Sequence, residues 1–100
     1  MAAYVISEVE KIEEEAWNNY RQLASEAIAQ YGGKYLVRGA TQNVVEGSPC
    51  HSLIVILEFP NMAMLKAWYS SKEYSKALLF RDRALRRKLT FVEGISSKNS

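Results

Sequence analysis

The 100-residue sequence has few of the residue types that mark several classes of protein. It contains a single cysteine, Cys50, so an internal disulfide is excluded. Its single histidine, His51, stands beside that cysteine, and the pair offers at most two metal ligands. Zinc sites use three or four protein ligands, so we predict no metal site. The chain also lacks internal repeats and low-complexity segments, which indicates an ordinary folded domain.

Long apolar runs are missing as well. The longest run, residues 53–57, is far shorter than the roughly 20 apolar residues that a membrane-spanning helix needs. The N-terminus lacks the basic, apolar and small-residue order of a signal peptide. We therefore expect a cytoplasmic protein with no membrane partner.

A strong charge imbalance is absent, because the net charge is only +2. Positive residues do cluster between Arg81 and Lys88, at the predicted C-terminal end of a helix, where they stabilise the helix dipole. No aromatic residues alternate with them to stack on bases. We expect no nucleic-acid partner.

Hydrophobic periodicity predicts one α+β domain over residues 1–96, followed by a frayed tail at residues 97–100. Strands are predicted at residues 3–9, from 34 with a resumption at 44–45, at 51–59 and at 89–95, and helices at 11–31, 62–69 and 70–87. Gly32 is expected to end the first helix, Asn61 to cap the second, and Ser70 with Glu73 to form a capping box at the third. The order βαββαβ, with a broken second helix, is the ferredoxin-like pattern with a four-stranded antiparallel sheet.

The predicted third strand is apolar on both faces, through Leu53 to Leu57. Helices cover only one sheet face in this fold, so the open face needs a cover that the chain does not supply. We expect a homodimer through the open sheet face, forming a dimeric α+β barrel. The alternative is a monomer whose C-terminal tail covers the sheet, but that tail is polar.

Arg38 lies within a segment that otherwise has the pattern of a buried strand. Alternation over residues 34–40 places Arg38 on the face of Leu36, opposite Tyr35 and Val37. A charged side chain in such a place requires a partner, a ligand or water.

Arg81 is a second candidate for an inward-facing arginine. A helical projection at 100° per residue places it at the centre of the apolar arc of the last predicted helix, whereas Arg83, Arg86 and Arg87 project elsewhere. Two explanations remain open. The first is a structural network with carboxylates of the predicted strands, namely Glu8, Glu58 and Glu93. The second is a pocket for an anionic or carbonyl-bearing small molecule.

For such a pocket the predicted ligand-binding residues are Arg38, Arg81, Tyr69, Glu93 and Gly39. The two arginines orient the ligand, and Tyr69 and Glu93 are supporting hydrogen-bond partners. No base or nucleophile with a positioned partner is evident, so the sequence assigns no catalytic residue and no cofactor.

Several motifs carry a resemblance to a known family: YGGKYLVRGA at 31–40, FP at 59–60, WYSSKEY at 68–74, Arg81 and VEG at 92–94. They resemble the pattern of a small domain-of-unknown-function family within the dimeric α+β barrel superfamily, over nearly the whole chain. The departure is Ala40, where that family usually has a second glycine. The resemblance implies a ferredoxin-like homodimer with a cavity between sheet and helices in each subunit.

Members of that superfamily include haem-degrading and quinone-forming monooxygenases, decarboxylases and lactone isomerases, and fold alone does not select among them. The haem-degrading members carry a helix histidine, which this chain lacks although Trp68 is present, so haem chemistry is disfavoured. One hypothesis is a homodimeric small-molecule-binding or enzymatic domain with an arginine-containing pocket. The other is a non-catalytic dimeric structural or stress-associated module whose inward arginines are salt-bridged.

Overall fold

The computed structural model describes residues 1–95, which form a four-stranded antiparallel sheet with three helices on one face. In chain order the elements are β1 (Ala3–Lys11), α1 (Glu14–Gln30), β2 (Lys34–Thr41), β3 (Leu53–Phe59), α2 (Met62–Tyr69), α3 (Lys72–Ala84) and β4 (Leu85–Glu93). The sheet order is β2-β3-β1-β4, so β1 and β3 are central. The predicted ferredoxin-like α+β fold is confirmed, and the predicted tail at 97–100 lies outside the described residues.

Local signals end and begin the helices largely where the sequence places them. Gly32 follows α1 with φ +80°, a left-handed conformation that glycine adopts without strain. The Asn61 side chain accepts a backbone N–H at 2.8 Å and caps α2. The cap of α3 is Ser71, whose Oγ accepts the Tyr74 N–H at 3.0 Å, so the predicted cap at Ser70 is off by one residue.

The boundary between α3 and β4 differs from the prediction. The helix ends at Ala84, three residues before Arg87, and β4 begins at Leu85. Arginine favours helices, so the arginine-rich segment reads as a helical continuation in isolation. In the fold this segment pairs with β1, where Val9 lies opposite Arg87, and the ladder hydrogen bonds outweigh that propensity.

The segment between β2 and β3 contains no strand, so the predicted resumption at Val44 and Val45 is wrong. Val45 is 87% exposed and packs on nothing that would hold it in a ladder. The Gln42 amide ties the segment to the start of β3 by donating to the Ser52 carbonyl at 3.1 Å.

The sheet has two unlike faces. Side chains directed towards the helices form the core, which includes Val5, Val9, Leu57, Phe59 and Leu85. The opposite face carries Ile6, Ile54, Ile56 and Val37, which are only partly buried because no helix lies over them. None of the helices within residues 1–95 combines the length and the apolar character required to span a membrane.

Candidate functional site

A small cavity lies between the helix-facing side of the sheet and α1. Its volume is about 50 Å³, roughly a third of the ~150 Å³ engineered cavity that binds benzene. Most of the lining is apolar, from core positions such as Val5, Val55 and Leu57. The polar and aromatic lining residues are Ser7, Trp17, Tyr20, Arg21, Tyr35, Arg38, Trp68 and Arg87. Without side-chain movement the cavity therefore accepts a few waters or one compact ligand.

Two irregularities in β2 place Arg38 on this cavity. The pairing of β2 with β3 shifts register between Tyr35 and Val37 and again between Arg38 and Ala40. The first shift inserts an extra residue between Tyr35 and Val37, so Arg38 shares the helix-facing side with Tyr35, and the second returns the residues after Arg38 to the original alternation. The prediction that Arg38 lies opposite Tyr35 is therefore wrong, because it assumed an unbroken alternation.

Arg38 is exposed to solvent on the edge strand β2, and its contacts are with neutral groups. Its guanidinium lies over the Tyr35 ring, 4.6 Å from the centroid, and donates to Ser25 Oγ of α1 at 3.0 Å. Gly39 follows it with φ +80°, a conformation that is strained for other residues, and also lines the cavity.

Arg87 forms the most connected polar cluster of the site. It donates to Tyr20 Oη at 2.6 Å and to Tyr74 Oη at 2.9 Å, and these two phenol oxygens lie 2.6 Å apart. Burial, together with the neighbouring Tyr74, raises the pKa of Tyr20 well above its ordinary value, so this phenol stays neutral. Burial acts to lower the pKa of Arg87, but the two phenols reverse that effect and its pKa ends above the ordinary value. The cluster thus carries one positive charge.

Two further lining groups have no hydrogen-bond partner. Ser7 Oγ and Trp68 Nε1 are both fully buried and unpaired among the described residues. An indole N–H only donates, so Trp68 lacks an acceptor. Leaving such a buried group unsatisfied costs roughly 1–3 kcal/mol, which is why native proteins seldom do so. Both side chains line the cavity, so an occupant of the cavity is the natural partner for each.

The charge of the lining is entirely positive. Arg21, Arg38 and Arg87 line the cavity and no aspartate or glutamate does. Within residues 1–95 no carboxylate lies within 4.0 Å of Arg38 or Arg87. Glu58, one of the carboxylates predicted to neutralise an inward arginine, pairs with Lys34 at 3.2 Å instead. The cavity therefore attracts an anion or a group rich in hydrogen-bond acceptors.

The family model described as domain of unknown function DUF1330 matches residues 2–95. The chain belongs to the DUF1330 family. No curated protein sequence matches this chain. The fold is similar to that of RPA0582, a protein of unknown function from Rhodopseudomonas palustris, with a TM-score of 0.75 and 17% identity over 95% of this chain and 83% of that one.

Two other solved structures share the fold of this DUF1330 chain. One is a dimeric ferredoxin-like protein of unknown function from Jannaschia sp. CCS1, with a TM-score of 0.66 and 13% identity over 94% of this chain and 100% of that one. The other is SnoaB, a cofactor-independent oxygenase from Streptomyces nogalater, with a TM-score of 0.60 and 9% identity over 96% and 94% of the two chains. At these identities the likeness establishes the fold alone.

The structure divides the site residues predicted for this DUF1330 domain between the cavity and its surroundings. Arg38 and Gly39 line the cavity. Arg81 and Tyr69 line an adjoining open groove beside α3 and β4, which shares Leu85, Arg87 and Leu89 with the cavity. Glu93 is exposed at the end of β4.

Arg81 does not occupy the inward position that the helical projection gave it. Its side chain is 39% exposed and its only ion-pair partner within residues 1–95 is the adjacent Asp82, at 3.4 Å. On a projection from Tyr74, Arg81 falls within the arc of the buried residues Tyr74, Ala77 and Ala84. It belongs to the last turn of α3, however, and there its long side chain lines the open groove and reaches solvent.

Arg87 is the functional candidate that sequence reasoning missed. A signal was present, because Leu85, Arg87, Leu89 and Phe91 alternate with polar residues as a half-buried strand does. Read with that period of two, Arg87 points to the core side with Leu85 and Leu89, which the structure shows.

A metal centre finds no support in the described part of the chain. Residues 1–95 contain no group of three or more histidine, cysteine, aspartate or glutamate side chains suited to hold an ion. Cys50 is a free thiol, and Gln42 donates to its sulfur at 3.3 Å.

Proposed function

We propose that this chain is a homodimeric small-molecule-binding or enzymatic domain whose arginine-lined cavity takes an anionic or oxygen-rich ligand. The observation that carries the proposal is the pairing of Arg38 and Arg87 with neutral hydroxyl and aromatic groups, on a cavity without carboxylates. Of the predicted ligand-binding residues the proposal keeps Arg38 and Gly39. It gives Arg87 the place that Arg81 had, while Arg81, Tyr69 and Glu93 lie outside this cavity.

The electrostatic argument concerns the cost of burying a cation. Half-buried guanidinium groups are usually neutralised by carboxylates, because desolvation of an unpaired charge is costly. Within residues 1–95, the hydrogen-bond partners of Arg87 are two phenols and no carboxylate. A ligand anion in the cavity would supply the missing negative charge. Its attraction to Arg87 would offset the desolvation free energy of the guanidinium and so favour binding.

The enzymatic form of the proposal draws on a structural neighbour. SnoaB, which shares the fold, is described as a cofactor-independent oxygenase. The cavity of this chain has hydroxyl, indole and guanidinium groups but no histidine or carboxylate to act as a general base. Binding and orientation of an oxygen-rich ligand are therefore the functions that these residues support best.

The homodimer rests on the open face of the sheet. Ile6 and Ile56 are paired across the two central strands, and Val37 of β2 lies beside Ile56 on the same face. This row of side chains is apolar, and no helix of the described chain covers it. The Jannaschia structure and one from Bacteroides fragilis are both described as dimeric with this fold. A second copy placed sheet to sheet would bury the row by one symmetric interface.

The alternative is a non-catalytic dimeric structural or stress-associated module whose inward arginines are salt-bridged. As drawn from the sequence, it requires carboxylate partners for Arg38 and Arg81. Within residues 1–95, Arg81 pairs with the adjacent Asp82 at 3.4 Å, and no ion pair involves Arg38 or Arg87, which favours the ligand pocket.

Native mass spectrometry of gently purified protein tests the proposal. We expect a dimer of 22.8 kDa, twice 11.4 kDa, that carries a small non-covalent adduct. Arg87→Gln should lose the adduct, whereas Arg83→Gln, at an exposed residue of α3, should keep it. Absence of any adduct, together with a crystal structure whose cavity holds only water, would contradict the proposal.

A further inference from the structure

We propose that the cavity selects a short carboxylate that carries a second acceptor oxygen close to it, as a 2-oxo acid does. The carboxylate binds Arg87, and the second oxygen accepts from Ser7 Oγ and Trp68 Nε1. This inference rests on the proposed function and names the chemical class of its ligand.

The preference for a carboxylate follows from the unused donors of the arginine cluster. A guanidinium has five N–H groups, and Arg87 uses two of them on Tyr20 and Tyr74. Only one of the two phenols can donate to the other across their 2.6 Å contact, so one phenol O–H is also left over. The cluster thus offers surplus donors and one positive charge. A planar carboxylate matches that combination, because it accepts two parallel N–H bonds from one guanidinium.

The second acceptor follows from Ser7 and Trp68. Both groups are buried and unpaired among the described residues, and both residues line the same cavity as Arg87. Trp68 can only donate, and the Ser7 hydroxyl is free to donate as well. A hydrocarbon tail in their place would leave both groups unsatisfied, whereas a carbonyl oxygen satisfies two donors with its two lone pairs.

The sheet register places Ser7 and Arg87 close together on the helix-facing side of the sheet. In the β1–β4 ladder Val9 pairs with Arg87 and Ser7 pairs with Leu89. Ser7 and Arg87 are therefore diagonal neighbours on one face, with Cα atoms about 7–8 Å apart. Trp68 is tied to the same cluster, since its ring lies 4.3 Å from that of Tyr74, centroid to centroid. Ser7, Trp68 and Arg87 thus surround one cavity of about 50 Å³, a volume that suits a ligand of a few heavy atoms.

A titration followed by NMR tests the inference with three probes of similar size: pyruvate, propionate and propionamide. The indole N–H signal of Trp68 is the direct readout, and comparison with Trp17→Phe assigns the two tryptophan signals. Pyruvate should shift the Trp68 signal and bind about fivefold to tenfold more tightly than propionate, which lacks the second oxygen. Propionamide, which is neutral, should bind more weakly than propionate by about tenfold or more.

Substitutions test the contributions of Ser7 and of Arg87 to ligand binding separately. Ser7→Ala should weaken pyruvate about fivefold and leave propionate within about twofold. Ser75→Ala, at an exposed serine that bonds only to the Lys72 carbonyl, is the matched control and should change neither. Arg87→Gln should weaken both carboxylates about tenfold or more, whereas Arg83→Gln should not.

The inference is overturned if propionamide binds as well as propionate, if pyruvate leaves the Trp68 signal in place, or if no probe binds. In the last case water satisfies Ser7 and Trp68. These results leave the proposed function standing as long as the native dimer carries an adduct that Arg87→Gln removes. If the native dimer carries no adduct that Arg87→Gln removes, the proposed function is rejected together with this inference.

Discussion

Two buried serines of this fold have opposite hydrogen-bonding states. Ser71 Oγ accepts the Tyr74 N–H at 3.0 Å and donates to the Trp68 carbonyl at 2.6 Å, so its hydroxyl is fully used. Ser7 Oγ has no partner in the described chain. Both are nearly inaccessible to solvent, with 8% and 4% of their surfaces exposed. The difference between them is therefore one of bonding rather than burial.

We expect Ser71→Ala to lower the free energy of unfolding by about 1–2 kcal/mol, because it removes the cap of α3. Ser7→Ala should change it by less than about 0.5 kcal/mol or raise it, because it removes an unsatisfied buried hydroxyl. Urea denaturation of the ligand-free protein measures both. An equal loss in the two variants would mean that Ser7 has a structural partner and is not held in reserve for a ligand.

At the scale of the elements, β2 shows how a local irregularity directs a side chain. The register shifts on either side of Arg38 bring it to the helix side, and Gly39 accommodates the second shift with φ +80°. A methyl group added at Gly39 would meet no atom within 4 Å. Any cost of a side chain there thus comes from the backbone conformation and not from a clash.

Gly39→Ala should lower the free energy of unfolding by about 1–2 kcal/mol, the usual cost of a left-handed conformation for a residue with a Cβ. Gly39→Asn should lose less, because asparagine tolerates that conformation better. Chemical denaturation provides the comparison. Unchanged stability in Gly39→Ala would show that β2 adopts another register in solution, one in which Arg38 is free to face away from α1.

The element order and the positions of most elements were predictable, because the helices have a strong hydrophobic period and β3 is a continuous apolar run. The positions of Arg38 and Arg87 on the cavity were not predictable, because each depends on a break in a sequence pattern. Arg38 changes face through the register shift between Tyr35 and Val37, which no residue of that segment signals, and Gly39 marks only the second shift. Arg87 lies where a helix-favouring run joins a strand, and only pairing with β1 decides between the two. Arg81 was placed inward because a helical projection gives the direction of a side chain but not whether its long stem reaches a groove at the end of the helix, as it does here.

At the scale of the whole molecule, the open sheet face is the feature that the single chain leaves unfinished. The Cα atoms of the molecule extend over 44 × 39 × 15 Å, the dimensions of one sheet layer packed on one helix layer. Ile56 sits in the middle of the exposed row, between Ile6 of β1 and Val37 of β2. If two copies meet through this face, the Ile56 side chain lies near the centre of the interface.

Ile56→Glu should therefore abolish the dimer, because a sheet-to-sheet contact would bury an unpaired carboxylate from each subunit. The subunit itself should remain folded, since Ile56 is only partly buried within it and the new carboxylate reaches water. Sedimentation equilibrium should give 22.8 kDa, twice 11.4 kDa, for the native protein and 11.4 kDa for the variant. Leu79→Glu is the matched control, because Leu79 is an 81% exposed leucine on α3, on the helix side of the molecule, and should leave the dimer intact.

A native protein of 11.4 kDa at every concentration would reject the homodimer, and a dimeric Ile56→Glu would move the interface to another surface. Because the cavity lies on the helix side of the sheet, the Ile56→Glu monomer should also retain its ligand unless the partner subunit helps to close the site.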